Sequence, residues 1–121
     1  ADKLLALPLS MVDPQTPVRY RDMWDIPWLI SRNASLNVEL VWKKVADYGV
    51  ANFEFALTQA RSRLLEEAQS KRFQDQMSRF INPTIYSSTL ANTHFASYIH
   101  NTIDPLFQQL QTRYDYESFT P

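Results

Sequence analysis

A single glycine, Gly49, in 121 residues is the strongest constraint this sequence places on its fold. Glycine averages about 7% of residues in ordinary domains. β-rich folds need it for hairpin turns, and nucleotide-binding α/β folds need it for phosphate loops. The shortage predicts an all-α chain of long helices with few tight turns. It also removes the GxxxxGK[ST], GxGxxG and GxSxG motifs, each of which needs more glycine than the chain has.

The prolines divide what remains. Pro8, Pro14, Pro17 and Pro27 fall within residues 1–34, together with Trp24 and Trp28, and no further proline occurs until Pro83. Proline fixes φ and lacks an N–H, so residues 1–34 read as an extended Pro/Trp-rich arm preceding a helical domain over 35–121. "MVDPQTP" reads as a turn followed by extended chain. Trp24 and Trp28, in the mixed-charge stretch "RYRDMWDIPWLI", are the arm's candidate contacts, made either with its own domain's core or with a partner.

The first long helix is expected to start at Ser35, or at Asp25 with Pro27 in its first turn. Val41, Val45, Gly49, Phe53, Leu57, Ala60, Leu64 and Ala68 recur at steps of three and four, an amphipathic stripe. Gly49 lies on the stripe, where the usual structural reason for glycine is close approach of a neighbouring backbone. Phe73, Met77, Phe80 and Ile81 then follow a face continuous with Leu65, so the helix either kinks near Ser70 or wraps towards a second neighbour. Unbroken, residues 35–81 would form a rod of roughly 70 Å. The expectation is an elongated helical bundle with one long, kinked helix.

Asn82–Pro83 and Asp104–Pro105 each offer a cap followed by proline at the first helical position. They predict two shorter C-terminal helices, Pro83–Ile103 and Pro105 to about Tyr114, or one helix kinked at Pro105. Between Asn82 and Thr112 the only formal charge is Asp104. Solvated helices usually carry Lys and Glu, so this run points to an interface, within the chain or between chains.

Lys plus Arg total 12 against 13 Asp plus Glu, a net charge of −1, which disfavours a nucleic-acid binder and permits self-association. Without cysteine there is no disulfide, thiolate metal site or thiol nucleophile; this fits a reducing cytoplasm, and an exported form is also compatible. "LLALPLSMV" lacks a basic flank, so it does not read as an intact signal peptide, and Ala1 points to a processed or trimmed start. No apolar run is long enough for a transmembrane segment.

His94 and His100 fall about 120° apart on a helix, whereas a helical zinc pair needs a spacing of four. Neither metal nor cofactor is expected. His100 and Asp104 lie one turn apart, the sole candidate pair for a small helical enzyme, and no second catalytic partner accompanies them. Glu66 and Glu67 face different directions, and Glu67 with Lys71 forms a stabilising i, i+4 pair on a charged face.

The stretches "NASLNVELVWKKVADYGVANFEFALTQARSRLLEEAQS" and "MSRFINPTIYSSTLANTHFASYIHNT" resemble the phasin family through Asn33, Asn52, Phe53, Phe55, Pro83, Leu90, Phe95 and Tyr98, over about residues 33–103. The resemblance implies a helical, non-enzymatic protein that coats polyhydroxyalkanoate granules, a hydrophobic surface. The expected function is therefore a self-associating structural protein that coats a surface or builds an assembly, with itself as partner. The alternative is an adaptor or structural subunit of a heteromeric complex, including a viral or phage one. Val41, Val45, Gly49, Phe53, Leu57, Leu64, Phe73, Met77 and Phe80 are the candidate contact residues on the stripe.

Overall fold

The computed structural model describes residues 2–118, with side chains through residue 113; Ala1 and residues 119–121 lie outside it. The described chain is all-helical: α1 Asp2–Ser10, α2 Tyr20–Ser31, α3 Val38–Asp47, α4 Phe53–Ala68, α5 Lys71–Ser78, α6 Pro83–Ser88 and α7 Phe95–Ser118. α4 and α7 form the central pair. α1 packs on α4, α2 on α7, and α3 touches both α1 and α7.

The N-terminal segment is not an extended arm. Pro14 and Pro17 do lie in a connecting loop, but Pro8 and Pro27 lie inside α1 and α2. A helix-interior proline costs about 3 kcal/mol. Burying a Leu, Ile or Met side chain returns about 1.5–3 kcal/mol each. Leu4, Leu5, Leu7, Met11, Met23 and Ile26 are all buried, in the same cluster as the α4 and α7 core, so packing outweighs propensity.

The long helix is three helices. α3 ends at Asp47 with Tyr48 as its C-cap, and Gly49 follows with φ +65. The Val50 N–H donates to Val45 C=O at 3.0 Å and the Gly49 N–H to Ala46 C=O at 3.2 Å, the paired bonds of a Schellman motif. Gly49 therefore marks a helix end rather than a close crossing: a Cβ added there would meet nothing within 4 Å. Gly49→Ala is expected to cost about 1–2 kcal/mol, the left-handed penalty of an L-residue. Thermal unfolding of Gly49→Ala and Gly49→Asn checks this, with Asn the milder change.

Asparagine does the work that glycine does elsewhere. Asn33 ends α2 at φ 68, with Ala34 N–H donating to Leu29 C=O and Asn33 N–H to Ile30 C=O, both at 3.0 Å. Asn52 starts α4 at φ 58. α3 is capped by Asn37, not Ser35, through its side chain and the Leu40 N–H. Ser70 caps α5, accepting from Phe73 N–H, and the break at Gln69–Ser70 resets the helical phase. Phe73 and Met77 thereby join the core that holds Leu64, while Leu65 is exposed. No second neighbour is needed to cover them.

Asn82 caps α6 as expected, accepting from Ile85 N–H at 2.8 Å with Pro83 at the start, but the helix ends at Ser88. α7 then runs through Asp104 and Pro105 without a break, so Asp104 is not a cap. Ile99, Ile103, Leu106, Phe107 and Leu110 are buried along it, and the burial carries the helix past the proline.

Candidate interaction surface

Most stripe residues are consumed by this core. Val41, Val45, Phe53, Leu57, Leu64, Phe73 and Met77 are buried within the chain. Trp42 closes on Phe53 edge-to-face at 5.3 Å and donates its indole N–H to Leu110 C=O. Ala56 and Ala60 are also buried.

Polar groups stitch the layers together. The Tyr20 hydroxyl donates to Glu67 at 2.7 Å, Glu67 pairs with Arg63 at 2.8 Å, and Arg63 also donates to Met11 C=O. Glu67 thus serves Arg63 and Tyr20 rather than Lys71. Arg61 grips Asp104 with two nitrogens, at 2.8 and 3.1 Å, and donates to Gln111. The Asp104 carboxylate is therefore engaged by Arg61, and the His100 Nδ1 lies 3.3 Å from Asn101 Oδ1. Among the described residues no group of three His, Cys, Asp or Glu gathers as a metal site, and no helix is long and apolar enough to cross a membrane.

Tyr20, and Lys3 bonded to Asp22 at 3.2 Å and Asp25 at 3.1 Å, predict an alkaline limit. Burial, then the Glu67 carboxylate, holds the Tyr20 phenol above its ordinary pKa. Burial opposes the charge on Lys3, but hydrogen bonds to Asp25 and Asp22 outweigh it and hold the ammonium above its ordinary value. The unfolded values lie near about 10 and 10.4. Both contributions to stability are complete below those values and are lost as pH rises through the raised folded ones. The melting temperature should therefore fall in the alkaline range above about pH 10, and less steeply in Tyr20→Phe.

The exposed large apolar side chains include aliphatic ones such as Leu40, Leu65 and Ile85, the rings of Tyr48 and Phe55 on the α3 and α4 side, and three further rings on or near the α2 side. Phe80 is 61% exposed, Trp28 52% and Tyr98 47%. Phe80 leaves the core because it follows the end of α5. Trp28 lies one turn beyond Trp24 on α2. Trp24 itself is half-buried and touches Phe95 at 5.5 Å, and Phe95 stacks on Tyr98 at 6.1 Å. Arg21 lies 5.4 Å from the Phe80 ring and Arg32 4.9 Å from the Trp28 ring. These links join the α2 surface to the segment from Phe80 to Tyr98. That segment has no formal charge, and within it only Leu90 is fully buried. α6 buries no residue at all.

The chain matches no family model, no curated protein and no solved structure. The surface must be interpreted from its own chemistry.

Sequence reasoning named Trp24, Trp28 and Phe80 as contacts, and singled out the uncharged run after Asn82. It placed that run on closely packed helices. The half from Phe95 onwards does form the core through α7, whereas α6 and the turns around it face solvent. It missed Arg21, whose partner Phe80 is brought near only by the fold, and Arg32, which lies four residues beyond Trp28 at the end of α2, a spacing the sequence does show.

Proposed function

We propose that this is a non-enzymatic, self-associating helical structural protein that builds an assembly through the Phe80–Tyr98 segment and the Trp28 side of α2. The observation that carries this reading is an exposed segment without formal charge, Phe80–Tyr98, whose Phe and Tyr rings lie beside an α2 surface bearing Trp28, Arg21 and Arg32. Depletion of Lys and Glu with enrichment of aromatics and Arg is the composition of interface cores. Trp, Tyr and Arg also dominate binding energy where interfaces have been scanned. A net charge of −1 opposes association little.

The phasin-like version of this reading, a coat on a hydrophobic surface, draws on the same exposed rings. Arginine stacked on aromatics favours a protein partner over a hydrocarbon surface, since guanidinium groups hydrogen-bond carbonyls and carboxylates. The heteromeric adaptor is the second reading. Sedimentation equilibrium over a wide concentration range separates the readings. Reversible association of the purified chain supports self-assembly. A monomer at every concentration, with adsorption to hydrophobic particles, would replace assembly by coating.

A further inference from the structure

We propose that the cleft between the Pro14–Val18 loop and α5 binds an extended acidic peptide of a partner protein, held at two carboxylates by Arg72 and Arg79. The cleft is open, with a volume of about 500 Å³, and the loop prolines, Tyr20 and Phe80 wall it. Arg72 and Arg79 both line it, both are exposed, and among the described residues neither makes an ion pair.

Their spacing selects the ligand. Seven residues of helical rise separate the two guanidinium-bearing positions by about 10 Å. A peptide in the extended polyproline II conformation covers that distance in three residues, at about 3.1 Å each, and its threefold period puts positions i and i+3 on one face. Asp75 lies between the arginines in sequence and also lines the cleft, so it repels a third carboxylate and offers an acceptor to peptide N–H groups. Gln76 presents both a donor and an acceptor. The preferred pattern is therefore acidic, neutral, neutral, acidic.

The loop itself does not template a strand. Pro14 and Pro17 lack N–H groups, and the Gln15 and Thr16 N–H groups already donate to Asp13. Recognition falls to the α5 side chains, with Phe80 as an apolar platform at the end. This proposal goes beyond self-assembly: Phe80 borders both surfaces, but Arg72 and Arg79 lie outside the one assigned to assembly.

Fluorescence anisotropy of a labelled short peptide, with paired glutamates three positions apart and no other charge, tests it on the full chain. Binding should weaken with salt and vanish for the glutamine counterpart. Arg72→Ala and Arg79→Ala should each weaken it about tenfold, the scale of one charge-assisted contact. Lys43→Ala, on the exposed side of α3, should leave it unchanged, and the Arg72→Glu/Arg79→Glu double variant should prefer a lysine peptide. Sedimentation of these variants should match the parent, which separates this test from that of assembly. Equal binding of glutamate and glutamine peptides, indifference to both arginine changes, tighter binding of free phosphate, or tighter binding of oligothymidylate would each overturn the proposal.

Discussion

Phe107→Ala should destabilise the fold by about 3–5 kcal/mol, the cost of removing a buried ring and leaving a cavity. Phe107 is fully buried on α7, the helix against which α4, α2 and α3 all pack. A domain of this size has a total stability of about 5–15 kcal/mol, so the variant would retain a fraction of it or unfold. Urea denaturation should show a lower midpoint at nearly constant slope. Phe55→Ala provides the contrast: Phe55 is exposed on α4, away from that contact, and its removal should change stability by no more than about 0.5 kcal/mol. Equal losses from both would mean that α7 does not organise the core.

Association should respond in the opposite pattern. Trp28→Ala and Phe80→Ala each remove an exposed ring with an arginine over it, and neither ring supports the core. Loss of an interface anchor costs about 2 kcal/mol or more, so each change should weaken the self-association constant by about thirtyfold or more. The melting temperature of the dilute monomer should move little. Sedimentation velocity at matched concentrations reads the first quantity and circular dichroism the second. Unchanged association in both variants would move the interface elsewhere on the molecule.

The helical class was legible because it rests on exclusion: one glycine leaves little room for hairpins, and the three- and four-residue spacing of Val41, Val45, Phe53, Leu57 and Leu64 needs a helical face. Their burial in one core agrees with that spacing. Helix ends were less legible. Gly49 sits in register with the stripe yet terminates α3, because periodicity does not report φ. Asn33 and Asn52 take left-handed conformations that composition assigns to glycine, so few glycines did not mean few turns. Pro27 and Pro105 lie inside helices because buried neighbours outweigh a missing hydrogen bond, and that balance depends on tertiary contacts. Asp104 and Pro105 together look like a helix start, but Arg61, brought in from α4, engages the carboxylate and the helix runs through.

The candidate surface was legible in part. Trp28 could be read as a contact of the Pro/Trp-rich segment and Phe80 as part of the apolar face beyond Ala68, and the loss of charge after Asn82 was visible. Which half of that run faces water could not be read, since neutral polar residues serve a crowded helix and an interface equally well. The arginines at 21, 72 and 79 become meaningful only when α2, α5 and the loop before α2 meet.

Hydrogen–deuterium exchange of the full chain at low and high concentration tests the central claim most directly. The account predicts added protection at high concentration over Phe80–Tyr98 and around Trp28, with the α4 and α7 core slow to exchange throughout. Identical exchange at both concentrations, in a sample that sediments as a monomer, would contradict it.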